Sequence, residues 1–147
     1  MDFKLSPFLS LLSCSLFSCS VISSSFAFAE EKVEYIGKGN ELRYVDVSSV
    51  ISQFAISGNN AVCKVKVDVW SSSNANKVVM TFNYIKASGE SVGTKTVTAY
   101  RNGNSFTGQT SKALTSHGTY HAKVNIKVYY NSNLIESINV ITGSATY

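Results

Sequence analysis

A chain of 147 residues has the length of one domain at most. Its net charge of +4 is spread along the sequence without a basic cluster, which argues against a nucleic-acid-binding surface. Of its three cysteines, Cys14 and Cys19 lie near the amino terminus and only Cys63 lies deeper, so no disulfide framework can staple the domain.

The first segment reads unlike the rest. Lys4 is followed by a charge-free apolar run diluted with serine from Leu5 to Phe28, then by Ala27-Phe28-Ala29 and the charged Glu30-Glu31-Lys32. A basic head, an apolar stretch and a small-x-small site predict a signal peptide over residues 1–29, cleaved after Ala29. The serines make the run a poor spanning helix, and no second apolar stretch of about 20 residues follows. Leu11-Leu12-Ser13-Cys14 and Leu16-Phe17-Ser18-Cys19 leave a lipid anchor through Cys14 or Cys19 as the alternative. The expected product is secreted, spans residues 30–147 and keeps the net charge of +4, because Asp2 and Lys4 leave together.

Residues 30–147 contain no proline and are punctuated at fairly even intervals by Gly-, Ser- and Asn-rich clusters, the signature of short strands in a sandwich or barrel. Leu42–Ile56 supplies one or two opening strands. In Cys63–Trp70 the residues Cys63, Val65, Val67 and Val69 alternate with Lys64, Lys66 and Asp68. A period of two, apolar on one face and polar on the other, is an antiparallel strand lying on a core. Val78–Ile85 sets Met80, Phe82 and Tyr84 against Thr81 and Asn83. Thr94–Tyr100 and Ser105–Leu114 flank Asn102-Gly103 and predict a hairpin of two weakly patterned edge strands. From Tyr120 to Tyr130 the even positions are expected to face the core, Tyr130 included, with Lys123, Lys127 and Tyr129 opposite. Leu134–Thr142 closes the sheet, and no helix is predicted.

Ser116-His117-Gly118-Thr119-Tyr120-His121-Ala122 resembles the tyrosine corner of immunoglobulin-like domains, with Ala122 where that family has its second cysteine. The resemblance implies an all-β, immunoglobulin-like antiparallel β-sandwich of about seven strands. It also implies that Cys63 packs in the core without its bridge. Tyr35-Ile36-Gly37, Cys63-x-Val65-x-Val67, Gly118-x-Tyr120 and Glu136-Ser137 are similar to segments of small secreted proteins of Gram-positive bacteria, a likeness that implies no assigned activity.

No catalytic constellation emerges. Lys64 and Lys66 point away from the Cys63 face, so nothing lowers the thiol pKa, although an odd cysteine in a secreted chain leaves an intermolecular disulfide open. His117 and His121 lack a third metal ligand, and the scattered carboxylates form no facing pair. An enzyme is therefore not expected, and no cofactor or metal is implied. A lysine–Asn139 isopeptide link is disfavoured because Asn139 alternates with Ile138 and Val140 and faces out. The remaining candidates are contact residues: Trp70 and Tyr129 as exposed aromatics, and Lys64, Lys66, Lys123 and Lys127 as charged faces. They predict a non-enzymatic binding module for an extracellular polymer, glycan or protein partner. The alternative is a toxin or bacteriocin-like effector inserting the Thr94–Leu114 hairpin into membranes.

Overall fold

The computed structural model describes residues 29–33 and 46–147. The expected signal peptide apart from Ala29, the cysteines Cys14 and Cys19, and Tyr35-Ile36-Gly37 lie outside the described residues. The strands are β1 (Ala29–Val33), β2 (Val47–Ser57), β3 (Asn60–Val69), β4 (Lys77–Lys86), β5 (Ser91–Tyr100), β6 (Ser105–Ala113), β7 (Thr119–Tyr130), β8 (Asn133–Ile141) and β9 (Ala145–Thr146). No helix is present among the described residues. Every pairing is antiparallel. One sheet has the order β1-β2-β3-β6 and the other β5-β4-β7-β8, with β9 also pairing to β7.

The alternation read from the sequence sets which face is buried. Cys63, Val65 and Val67 of β3 and Met80, Phe82 and Tyr84 of β4 lose all solvent contact. With Phe54, Phe106 and the even residues of β7 from Tyr120 to Val128 they form one core shared by both sheets. Each such apolar side chain contributes roughly 1.5–3 kcal/mol on burial, which is how this chain holds together with its one described cysteine unbridged. The two sheets approach closely at Gly108 of β6. A Cβ there would sit 2.5 Å from Met80 Sδ, so a side chain would push the layers apart.

The structure corrects two expectations. Asn102-Gly103 does form a turn, with Gly103 at φ 61° and a bridge between Asn102 and Ser105. It does not join a hairpin of β5 and β6, because β5 pairs with β4 and β6 pairs with β3 in the other sheet. Burial decides against the hairpin: Phe106 and Gly108 must face the core from the first sheet, so the chain crosses between layers at this turn. Both strands are sheet edges, as their weak patterning implied. Tyr130 is the second correction. The β7–β8 register shifts between Val128 and Tyr129, and Tyr130, next to the turn, is exposed.

Candidate binding surface

Three connections meet at one end of the molecule: 70–76 between β3 and β4, 101–104 between β5 and β6, and the two-residue turn Asn131-Ser132 between β7 and β8. Hydrogen bonds tie them together. Arg101 is the central clamp, donating from Nη1 to the Ser73 and Ala75 carbonyls (2.6 and 3.2 Å), from Nε to the Gly103 carbonyl (2.8 Å) and from Nη2 to Asn104 Oδ1 (2.8 Å). Asn76 N–H donates to the Tyr129 carbonyl, Asn76 Nδ2 to Asn131 Oδ1, and Asn131 N–H to Asn76 Oδ1, each at 3.0 Å. Asn131 takes the left-handed conformation (φ 54°) that a two-residue turn requires and asparagine tolerates.

On this braced end stand exposed aromatic and aliphatic side chains. Trp70 is 53% exposed and Tyr100 72%, with Tyr130 and Leu134 also open to solvent. Tyr100 pairs with Lys77, and Lys77 with Tyr129, so these three share one row across the outer face of the second sheet. Lys77 Nζ lies 4.9 Å from the centre of the Tyr129 ring, a cation–π contact that half-covers it. The structure thus brings Trp70 and Tyr129 to the same end of the fold. Tyr100, Tyr130 and Arg101 did not figure among the sequence candidates. Tyr100 was legible, since it continues the outward alternation of Thr94, Thr96 and Thr98, whereas the clamping role of Arg101 depends on loops remote in sequence.

The four candidate lysines divide between two sheets. Lys64 and Lys66 lie on the outer face of the first, where Lys66 Nζ sits 2.9 Å from Asp68 Oδ1. Asp68 also accepts hydrogen bonds from Ser49 (3.0 Å) and Ser105 (2.5 Å). Burial opposes its charge, but these donors and the Lys66 charge together hold the carboxyl below its ordinary value. Lys123 and Lys127 lie on the outer face of the second sheet, opposite Asn83 and Val79 respectively.

The other reactive types serve the fold. Cys63 is fully buried, and burial pushes its thiol up to about 12, so it is an inert core group. Glu136 accepts the Val47 N–H at 3.2 Å and links the sheets. Its burial raises the carboxyl pKa above the ordinary value despite the Val47 and Asp46 N–H donors. His117 stacks on Tyr147 with ring centres 4.5 Å apart. Asn139 is exposed and accepts from Asn125 Nδ2 at 2.8 Å, which leaves it outside the core. No group of three or more His, Cys, Asp or Glu that could hold a metal occurs among the described residues.

No protein-family model matches the chain, and no curated protein matches it in sequence. Among solved structures it is similar to the β-glucuronidase of Ruminococcus gnavus, with 16% identity over 66% of this chain and 15% of that one at a TM-score of 0.41. The β-glucuronidase of Parabacteroides merdae matches at 12% identity, 66% and 13% coverage and a TM-score of 0.42. A β-glucuronidase from glycoside hydrolase family 2 matches at 14%, 63% and 11% with a TM-score of 0.36. The chain spans about 15% of the length of the first of these enzymes. At such TM-scores neither their activity nor their fold transfers to this protein.

Proposed function

We propose that this protein is a secreted, non-enzymatic binding module built on an immunoglobulin-like sandwich, and that it engages an extracellular polymer, glycan or protein through the loop end carrying Trp70. The strand orders β2-β3-β6 and β5-β4-β7-β8 support the immunoglobulin-like type, since there too the first, second and fifth strands share one sheet and the third, sixth and seventh the other; the fourth strand, β5, departs from the constant-domain pattern by pairing with β4. So does the Tyr120 hydroxyl, which donates to the Ser116 carbonyl at 2.6 Å as a tyrosine corner does. In that architecture the loops at 70–76 and 131–132 join strands B to C and F to G, at the end where variable domains carry their binding loops.

One observation carries the reading: Trp70, just past β3, and Tyr100 and Tyr130, the last residues of β5 and β7, are exposed at the end whose loops Arg101 and Asn76 fix. Large aromatics on a rigid support lose little conformational entropy on binding, stack on sugar rings and dominate protein interfaces. The membrane-active alternative drew on a hairpin that β5 and β6 do not form.

The test is retention of the purified protein on insoluble cell walls and polysaccharides, comparing the parent with the Trp70→Ala/Tyr100→Ala variant. Loss of retention in the variant, worth about 2 kcal/mol for aromatic anchors, is the expected result. Equal retention of a folded variant would remove the loop end from the binding surface.

A further inference from the structure

The outer face of the second sheet offers a second surface, which joins the loop end at the Tyr100–Lys77–Tyr129 row. Residues directly opposite one another in antiparallel strands share a face, so the register lays it out in rows. One row sets Thr94, Asn83, Lys123 and Ile141 side by side, and the next Thr96, Thr81, Asn125 and Asn139. Lys127 follows beside Val79 and Ser137, and Lys77 beside Tyr129 ends the series. Between the first two rows lies an open depression of about 260 Å³ with an apolar floor of Val124, Val140 and Ile141 and a polar rim of Thr81, Asn83, Lys123, Asn125 and Asn139.

The charge on this face has one sign. Lys77, Lys123 and Lys127 stand on it, and no carboxylate with a described side chain does. Asp68 lies on the first sheet and Asp46 just before it, Glu136 is turned to the Val47 N–H, and Glu90 sits in the β4–β5 turn. Lys123 and Lys127, four residues apart on β7, are separated by about 13 Å at the strand rise of roughly 3.3 Å per residue. Lys77, opposite the residue two further on, extends the line to about 20 Å by the same rise. Asn83 spends its carbonyl oxygen on Ser91 Oγ (2.5 Å) and Thr94 Oγ1 (3.4 Å) within the sheet, so its NH2 remains to donate beside Lys123. Asn139 likewise spends its oxygen on Asn125 and keeps its donors.

We infer that this face binds a linear acidic polysaccharide lying along β4 and β7, with its carboxylates against Lys123, Lys127 and Lys77 and its hydroxyls against the Asn and Thr side chains. An ammonium beside an outward amide NH2 suits a carboxylate, and the Thr81, Asn125 and Asn139 groups suit the hydroxyls between carboxylates. A single-stranded nucleic acid fits poorly. Its bases need a succession of stacking platforms, whereas on β7 Tyr129 is engaged by Lys77 and the exposed Tyr100 stands at one end of the face, beyond the Lys123–Lys127 stretch. This inference rests on the binding-module reading and meets the Trp70 end only at Lys77, which pairs with Tyr100.

The experiment measures binding of the protein to polygalacturonate, polyphosphate and dextran between 50 and 200 mM salt. Three lysine contacts predict a roughly twentyfold fall in affinity for polygalacturonate over that range, and the Lys123→Gln/Lys127→Gln variant a fall of only about threefold. Lys64→Gln, on the other sheet, should leave the salt dependence at the parent value. Asn83→Ala/Asn139→Ala should weaken binding severalfold at every salt concentration while preserving its slope. Absence of polygalacturonate binding at 50 mM salt, equal binding of polyphosphate or dextran, or an unchanged slope in the double lysine variant would each overturn the inference. Loss of wall retention only in the Trp70→Ala/Tyr100→Ala variant, with polygalacturonate binding intact in it, would separate the two surfaces.

Discussion

The two ends of the sandwich use aromatic residues in opposite ways. At the end where β4 turns into β5 and β6 passes to β7, they are engaged within the fold, Tyr120 in the core and Tyr147 against His117. Tyr120 is 1% exposed and bonded to the Ser116 carbonyl, Lys86 Nζ lies 6.0 Å from its ring, and His117 stacks on Tyr147, whose backbone exchanges two hydrogen bonds with Gly118. At the other end Trp70, Tyr100 and Tyr130 stand in solvent, and the bracing is done by polar groups, Arg101 and Asn76. Where aromatics hold the chain together, they are unavailable to a partner. Handing that task to a guanidinium and a carboxamide frees the aromatics for contact.

This contrast is open to direct challenge by denaturant unfolding. The largest effect should come from Tyr120→Ala, which removes a buried ring and its hydrogen bond and is expected to cost about 4 kcal/mol without altering the loop end. Arg101→Ala should cost about 2 kcal/mol, because charge-assisted bonds to the Ser73 and Ala75 carbonyls are lost together, and it should also weaken wall retention. An equal loss of retention in Tyr120→Ala would erase the distinction between the ends. Asp68 supplies a smaller, pH-dependent term. Its folded pKa is depressed, so its stabilisation is present above the ordinary value of 3.8 and is lost as pH falls through the folded one. Asp68→Asn should flatten the acid limb of a stability–pH curve. Trp70→Ala should change stability by no more than about 0.5 kcal/mol, since its side chain stands in solvent.

What could be read in advance follows the same division. The faces of β3, β4 and most of β7 were legible because a strict two-residue alternation leaves only one way to bury Cys63–Val69 and Met80–Tyr84. The inward Tyr120 was legible from local sequence, its acceptor being four residues away. The loop end was not, because the bonds that tie one of its loops to another join residues 26 to 55 positions apart. Asn102-Gly103 misled for a related reason. The dipeptide specifies a turn, but whether the flanking strands pair across it depends on β3 and β4, which lie earlier in the chain. Trp70 could be proposed as a contact residue from its position past a strand end, whereas its company of Tyr100 and Tyr130 required the fold.

The crossing at 101–104 also bears on how the chain reaches its native state. The β3–β6 ladder encloses β4 and β5, while the β4–β7 ladder encloses β5 and β6, so each sheet closes around strands belonging to the other. Neither layer can be completed as a fragment and then docked. Ordering one requires the other to be ordered in the same event, which makes acquisition of structure all-or-none and, with pairings as remote as Asn60 with Ala113, slow on the scale of milliseconds to seconds.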